Sequence, residues 1–442
     1  MLGSFANAFK IGELRSRILF TFAMIFVYRL GCVIPTPGVN PEALSAFFSS
    51  QSGVLGFLNL FSGGALSRFS VFALGIAPYI NASIIMQLLV YVIPALERMA
   101  KEEGEEGRKK ISQITRYATV GIGALQALGI SLWLETINIQ SGTPVVFETG
   151  WSFRLTSVLT LTAGTAFIMW LGEQMTAKGI GNGISLIITA GIVSRLPSAI
   201  TQTWQVFDLS NLNPKGLFSV LAIVAVVLIV TAVVVMLQDG VRKIPVQHAK
   251  RVVGRRVYGG ASSHIPLKVN QAGVIPIIFA SSVLMFPGLL LSWVQRAEWM
   301  AAYGQIDKVI SWMIEALRPG GGLYLVLFAL LIIFFTYFYT AIQLNPKEMA
   351  DNLKKYGGFI PGIRAGRKTA EYIDRVLNRI TLAGALFLAS VSVLPSLLQG
   401  MLNVQFYFGG TALLIVVGVA LDTVRQMESH MVTRHYQGFM KR

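Results

Sequence analysis

Side chains that could carry chemistry are sparse in this 442-residue chain and are not spaced for it. The four histidines, His248, His264, His430 and His435, include no i, i+4 pair that could grip a metal from one helix face, and they read as ordinary interfacial residues. Hydrolysis inside a membrane would call for paired aspartates, a Ser–His arrangement or an HExxH helix, and none of these patterns occurs. The stretch GIGNGIS at 179–185 has the glycines of a nucleotide loop, but it follows an apolar run instead of a strand and lacks the lysine that would reach phosphate. Its physical content is a Gly-rich turn with Asn182 placed to cap the next helix. The single Cys32 excludes an internal disulfide. The expectation is no metal, no cofactor and no enzymatic activity.

The elements that would have to position any such group are membrane spans. Hydrophobic residues make up 54% of the chain and charged residues only 13%, about half the charged share of a soluble domain. Ten apolar segments have roughly the length a bilayer demands, at about 18–34, 71–93, 115–134, 154–174, 183–203, 217–237, 272–293, 322–342, 380–399 and 404–422. The sequence therefore predicts an all-α polytopic membrane protein. The first run lacks a small-residue cleavage site, so it is expected to stay as a span.

Charge sets the orientation, because Lys and Arg accumulate in cytoplasmic connections. With the amino terminus inside, about 29 of the 37 Lys and Arg fall on the inner side, about 7 on the outer, and Arg29 sits within the first span. Both termini are then cytoplasmic, as an even number of spans requires. Trp133, Trp151, Trp204, Trp293, Trp299 and Trp312 fall near outer ends, as an aromatic belt would, and only Trp170 lies nearer the inside. The span interiors carry no Asp or Glu: Glu173 and Asp422 sit at inner ends, Arg154 and Arg195 at outer ends. Ion-coupled transport of a small solute relies on a midplane ionisable group, so this composition argues against it.

Three features are left over. The basic connections at about 239–271 and 344–379 are longer than a turn requires, and loops of that size in a compact protein are usually functional. The segment from about Gly53 to Ser70 is apolar, Gly-rich and too short to cross, so it lies at the outer surface or folds back into the protein. Ile76 with Ile80, and Ile184 with Ile188, are pairs one helical turn apart; from spacing alone such pairs are lipid-facing or core. Pro78, Pro276 and Pro395 are expected to kink their spans.

Longer motifs are specific. PTPGV at 35–39, NLFSGGALSRFSVFALGIAPYI at 59–80, EEGEEGRKKISQ at 102–113, LGEQMTAKGIGNGIS at 171–185, GRRVYGG at 254–260, LKVNQAGVIPIIFASS at 267–282, GGFIPGIRAGRKT at 357–369 and GGTALLIVVGVALD at 409–422 closely resemble the SecY family, in family order and over nearly the whole chain. Asn81, Ala77 and Ala365 depart from the residues commonest at those places.

The resemblance implies ten helices in two pseudo-symmetric halves, about 1–205 (spans one to five) and 206–442 (spans six to ten), around a central hourglass pore. It implies a passive channel that passes unfolded polypeptides across the bacterial cytoplasmic membrane and releases membrane segments sideways into lipid. Ile76, Ile80, Ile184, Ile188, Ile278 and Ile415 would form the constriction, where stiff β-branched side chains gate by dewetting. The segment 53–70, with Phe57, Leu58, Asn59, Leu60, Phe61, Ser62, Gly63 and Gly64 at its centre, would be a plug. Asn81, Gln87, Gln126 and Asn270 would lie near a lateral gate, each closing hydrogen bond being worth about 0.6 kcal/mol. Arg255, Arg256 and Arg364 would meet cytoplasmic partners, forking onto carboxylate or phosphate. The partners implied are the SecE and SecG subunits, the SecA motor, the ribosome, signal sequences, nascent polypeptides and membrane lipid. The opposing reading is a small-solute secondary transporter, whose midplane carboxylate is missing; a third is a membrane-embedded insertase or scaffold without a pore, and the plug segment and all-Ile ring count against it.

Overall fold

The computed structural model describes residues 11–50, 59, 62–140, 144–198, 200–201, 214–248, 251–253, 256–258, 262–295, 304–317, 321–402 and 410–439. The chain is mostly helical. In order the helices are α1 (Gly12–Gly31), α2 (Pro41–Ser50), α3 (Ala77–Val92), α4 (Pro94–Lys101), α5 (Gly104–Gln140), α6 (Trp151–Lys178), α7 (Gly183–Val193) and α8 (Pro214–Asp239). After a strand-bearing connection come α9 (Ile275–Gln295), α10 (Gly304–Ala316), α11 (Gly322–Gln343), α12 (Pro346–Lys355), α13 (Arg367–Leu402) and α14 (Gly410–Phe439). Among the described residues four stretches are long and apolar enough to cross a membrane, or five if the bent pair α3–α4 counts as one span; 183–198, 224–239 and 275–284 are shorter apolar helices.

Helix ends follow local chemistry. Asn182 caps α7 as expected, its side chain accepting from the N–H groups of Ile184 and Ser185 at 3.1 and 3.2 Å. Asn345 does the same for α12 through Lys347 N–H. The 98° bend between α3 and α4 has a simple cause: Pro94 disfavours a helical residue before it, and Ile93 is extended at φ −100°, ψ 111°. Two sequence expectations need correction. Pro78 and Pro276 kink nothing, because each lies in the first turn of its helix, where a missing N–H is free of cost. Residues 71–76 do not begin the second span either; they form turns, with Gly75 at φ +57° and its N–H on Phe72 O.

Five threonine hydroxyls on the apolar helices are satisfied within their own turns. Thr115, Thr119, Thr336, Thr340 and Thr423 each donate to the carbonyl four residues back, which spares the helix a partner search in a solvent without water.

The trace forms two compact units. The first comprises Met1–Leu217, Ser281–Tyr324 and Val419–Arg442. Within it α5 packs along α3 and α6, and α6 also contacts α1 and α7. Two bidentate ion pairs clamp α5 to α6: Arg116 with Glu173 (2.8 and 2.9 Å) and, at the other end, Arg154 with Glu135 (2.7 to 3.2 Å). Glu135 also accepts from Gly150 N–H at 3.0 Å, and the Arg154 guanidinium lies over the Trp151 ring.

The second unit comprises Phe218–Ala280 and Leu325–Gly418, and here the mostly helical chain carries strands that the all-α expectation left out. The long connections carry strands: β1 (Val241–His248), β2 (Arg251–Val253), β3 (Arg256–Tyr258), β4 (Ser262–Lys268) and β5 (Gly358–Phe359). β1 pairs antiparallel with β4 from Val241↔Lys268 to Gln247↔Ser262, and with β5 at Gln247↔Phe359. Ile244 and Val246 alternate inward on β1. Ile244, Leu267, Ile360, Ile373 and Leu377 form a small core beneath the sheet. Two connections about a hundred residues apart are therefore one folded surface element.

Candidate functional site

The candidate site in the first unit is built on a turn. Asn59 and residues 62–70 are described; Phe57, Leu58, Leu60 and Phe61 lie outside the described residues. Gly63 and Gly64 take φ +65° and +87°, a region that glycine enters without penalty. Asn59 organises the turn. Its carbonyl accepts from Gly64 N–H (2.9 Å) and Ser62 Oγ (3.2 Å), and its Oδ1 from Ser67 N–H (3.1 Å). Ser62 Oγ in turn accepts from Leu66 N–H at 3.2 Å. Asn59, Ser62 and Gly63 are all buried, so these internal bonds are what keep the polar backbone from being orphaned.

Both stems of this segment are fixed. Upstream, Asn40 Oδ1 accepts from Glu42 and Ala43 N–H to start α2, while Val39 bridges Val146 and Asn40 N–H donates to Val145 O. α2 then seats Leu44, Phe47 and Phe48 against Trp133 of α5, the two phenyl rings standing edge-on to the indole about 6 Å away. Downstream, Ser70 bridges Pro35, Thr36 N–H donates to Phe69 O (2.8 Å), and Val71 N–H donates to Ile34 O (3.0 Å). Phe72 then packs on Gly31, and the Val71 carbonyl on Gly164, so closely that a Cβ at either glycine would collide.

Among the described residues, Arg29, Gly191 and Arg195 reach the turn from elsewhere in the chain. Arg29 Nη1 donates to the Gly63 carbonyl at 3.2 Å. A Cβ on Gly63 would lie 2.8 Å from Gly191 Cα and 3.0 Å from Arg29 Nη1; one on Gly64 would lie 3.6 Å from Arg195 Nε. Arg29 was legible only as the one charge inside the first span, where an ionised group in apolar surroundings calls for a partner. Its partner, and the role of Gly191, are invisible in sequence.

The isoleucines expected at a constriction are all buried or half-buried. In the first unit Ile76 caps the start of α3 and its carbonyl accepts from Ile80 N–H at 3.1 Å, which places the pair one turn apart. Ile184 and Ile188 lie on α7, three residues before Gly191 in the case of Ile188. The approach to α7 is held by side chains from three helices: Thr21 of α1 accepts from Ile180 N–H (3.1 Å), Gln426 of α14 from Gly181 N–H (2.8 Å) and Thr176 of α6 from Gly183 N–H (2.9 Å). That is the work of the GIGNGIS stretch. Gly172 of α6 gives Ile184 room, a Cβ there meeting Ile184 Cγ1 at 3.1 Å. Ile278 on α9 and Ile415 on α14 belong to the second unit, at 5% and 0% exposure.

Of the polar residues expected near a lateral gate, Asn81 and Gln87 are half-buried on α3 and Gln126 is buried on α5, the helix that packs along α3. Asn270, buried before α9, donates Nδ2 to Gly273 O at 3.0 Å, while its buried Oδ1 has no hydrogen-bond partner among the described residues. Among the basic residues, Arg364 is exposed in the connection after β5. Arg256 opens β3, its backbone paired with Val253; Arg255, between β2 and β3, lies outside the described residues.

A family model described as SecY matches residues 70–424, a stretch that contains all six isoleucines and begins just after the glycine turn. The chain belongs to the SecY family. It is 47% identical to protein translocase subunit SecY of Thermotoga maritima, covering 100% of this chain and 98% of the relative. It is 47% identical to that of Escherichia coli, covering 98% and 95%. Among solved structures it is similar to one described as a protein-conducting channel (TM-score 0.65, 18% identity, 95% of this chain and 93% of that one). Another, of Sec61 in a canine ribosome–channel complex, gives a TM-score of 0.62 at 17% identity over 95% and 93%. These two similarities establish that the fold is shared.

Proposed function

We propose that the chain is the channel subunit of a protein translocase, a passive pore that passes unfolded secretory polypeptides across the bacterial cytoplasmic membrane and releases apolar segments sideways into lipid. Ten helices in two halves, 1–205 and 206–442, line an hourglass, with both termini cytoplasmic. Ile76, Ile80, Ile184, Ile188, Ile278 and Ile415 form the constriction, which offers no replacement for an ion's hydration shell and yields around a peptide of any sequence. Asn81, Gln87, Gln126 and Asn270 flank the seam through which a signal sequence, itself an apolar helix, reaches lipid. SecE and SecG complete the complex. SecA, the ribosome or the proton-motive force supplies the energy, and the first two dock on the sheet and loop that carry Arg255, Arg256 and Arg364.

The observation that carries this reading is the Gly63–Gly64 turn. A short Gly-rich segment buried between two fixed stems and preceding the helix of Ile76 and Ile80 is what a removable stopper above a constriction requires. The test is ion conductance of the purified complex in planar bilayers, for the native chain, a deletion of about residues 57–67 and Ile415→Asn, each with and without a synthetic signal peptide. The reading expects the native channel to be sealed at rest and opened by the peptide, and both variants to leak. Silence from all three under every condition would favour an insertase without a pore.

A further inference from the structure

Arg29 invites a local explanation. It lies in the last turn of α1, where a cation complements the partial negative charge of the helix end, and that alone could account for it. Its geometry does more. The side chain leaves its own helix and donates to a carbonyl 34 residues away, that of Gly63, in a turn whose other wall is the backbone of α7 at Gly191. The slot is narrow on both sides: a single carbon added to Gly63 would stand 2.8 Å from Gly191 Cα and 3.0 Å from Arg29 Nη1. Gly191 lies one turn beyond Ile188, so the wall of the slot and a residue of the proposed constriction ride on the same short helix.

We infer that Arg29 is a positioning residue for the plug, a clasp that presses the Gly63 turn against Gly191 of α7. This rests on the plug reading above. The bond is made to a carbonyl through a charged donor, the stronger class of hydrogen bond, and it is part-buried. Its dependence on α7 has a mechanical consequence. When a polypeptide spreads the constriction and α7 shifts, the slot widens, the Gly63 carbonyl moves relative to Arg29, and the turn is freed without any signal reaching it directly. Resealing follows when α7 returns, because the downstream stem, anchored at Pro35–Ser70 and by the Thr36–Phe69 and Val71–Ile34 bonds, holds the turn close to its slot.

The experiment measures resting conductance of the purified complex in planar bilayers for the native chain, Arg29→Met, Arg29→Lys, the deletion of about 57–67, and that deletion combined with Arg29→Met. The clasp predicts that Arg29→Met raises resting open probability about tenfold or more. Arg29→Lys, which keeps the charge at the helix end but not the reach or the fork, should fall between native and Met. In the combined variant the leak should equal that of the deletion alone, since a clasp has nothing left to hold. Leak from the deletion with a sealed Arg29→Met overturns the clasp and leaves the plug standing. Additive leak in the combined variant also overturns it, assigning Arg29 to helix stability. A deletion that stays sealed sinks the plug reading and the clasp with it. Should Arg29→Met fail to assemble, Arg29→Lys decides, native-like sealing counting against the clasp.

Discussion

Gly63→Ala should unseat the glycine turn far more than Gly64→Ala does, although the two residues are neighbours in the same backbone region. At φ +65° and +87°, each alanine incurs the left-handed penalty of about 1–2 kcal/mol. For Gly64 that is nearly the whole cost, because the closest outside atom, Arg195 Nε, lies 3.6 Å from the new carbon, an ordinary contact. For Gly63 the new carbon lies 2.8 Å from Gly191 Cα. Backbone on a packed helix cannot swing aside as a side chain can, so an overpacking cost of about 1–3 kcal/mol is added. If seating competes with an unseated state, Gly64→Ala raises the unseated fraction about 5- to 30-fold, and Gly63→Ala exceeds it by a further factor of about 5 to 150. Resting ion conductance in planar bilayers reads this ratio, and protection of residues 62–70 from hydrogen exchange reads it independently of conduction. Equal effects from the two alanines would refute the role of the Gly191 contact. No effect from either would mean that the turn does not govern sealing.

Further outcomes follow from the rest of the structure. Glu135→Ala should lower stability by about 1.5–3 kcal/mol, since it strips the Arg154 fork and the Gly150 N–H of their acceptor at the junction of α5 and α6; thermal unfolding in detergent checks this, and an unchanged midpoint would show the pair to be ornamental. Asn182→Ala removes the acceptor for two N–H groups and should cost about 1 kcal/mol, appearing as faster hydrogen exchange confined to the first turn of α7. Leu267→Ala, at 1% exposure in the small core under the sheet, should cost that element about 2–5 kcal/mol. It should weaken the motor and ribosome docking proposed above, read in a salt-dependent assay, while leaving resting conductance native; a loss of sealing would show that the sheet and the channel are not separable.

The helical character of the chain, its apolar runs and the cap at Asn182 were legible from the sequence because each is a local property: run length, charge and a side chain two residues from the amide it satisfies. The family motifs were legible for a different reason, being long enough to be specific. Pro94 was a readable signal for the break after α3 that the hydropathy of the run concealed, and the inward alternation of Ile244 and Val246 was a strand signal hidden under basic charge. Pro78 was misread because a proline in the middle of an apolar run marks a kink or a helix start equally well, and only the turns at 71–76 decide between them.

What no reading of one sequence could supply are the partners of groups far apart along the chain. Composition fixes that Arg29 in an apolar span must find an acceptor, yet any carbonyl in reach would serve, and the choice of Gly63 is made by where α1 and the two stems of the turn come to lie. In the same way β1 needs an edge partner, but its pairing with β5 across a hundred residues depends on both connections emerging side by side. The sequence determines which groups need satisfying, since hydrogen-bonding capacity and apolarity belong to the residue itself. The tertiary structure alone decides which groups satisfy them, since that depends on distance and direction, which the chain acquires only when its helices have packed.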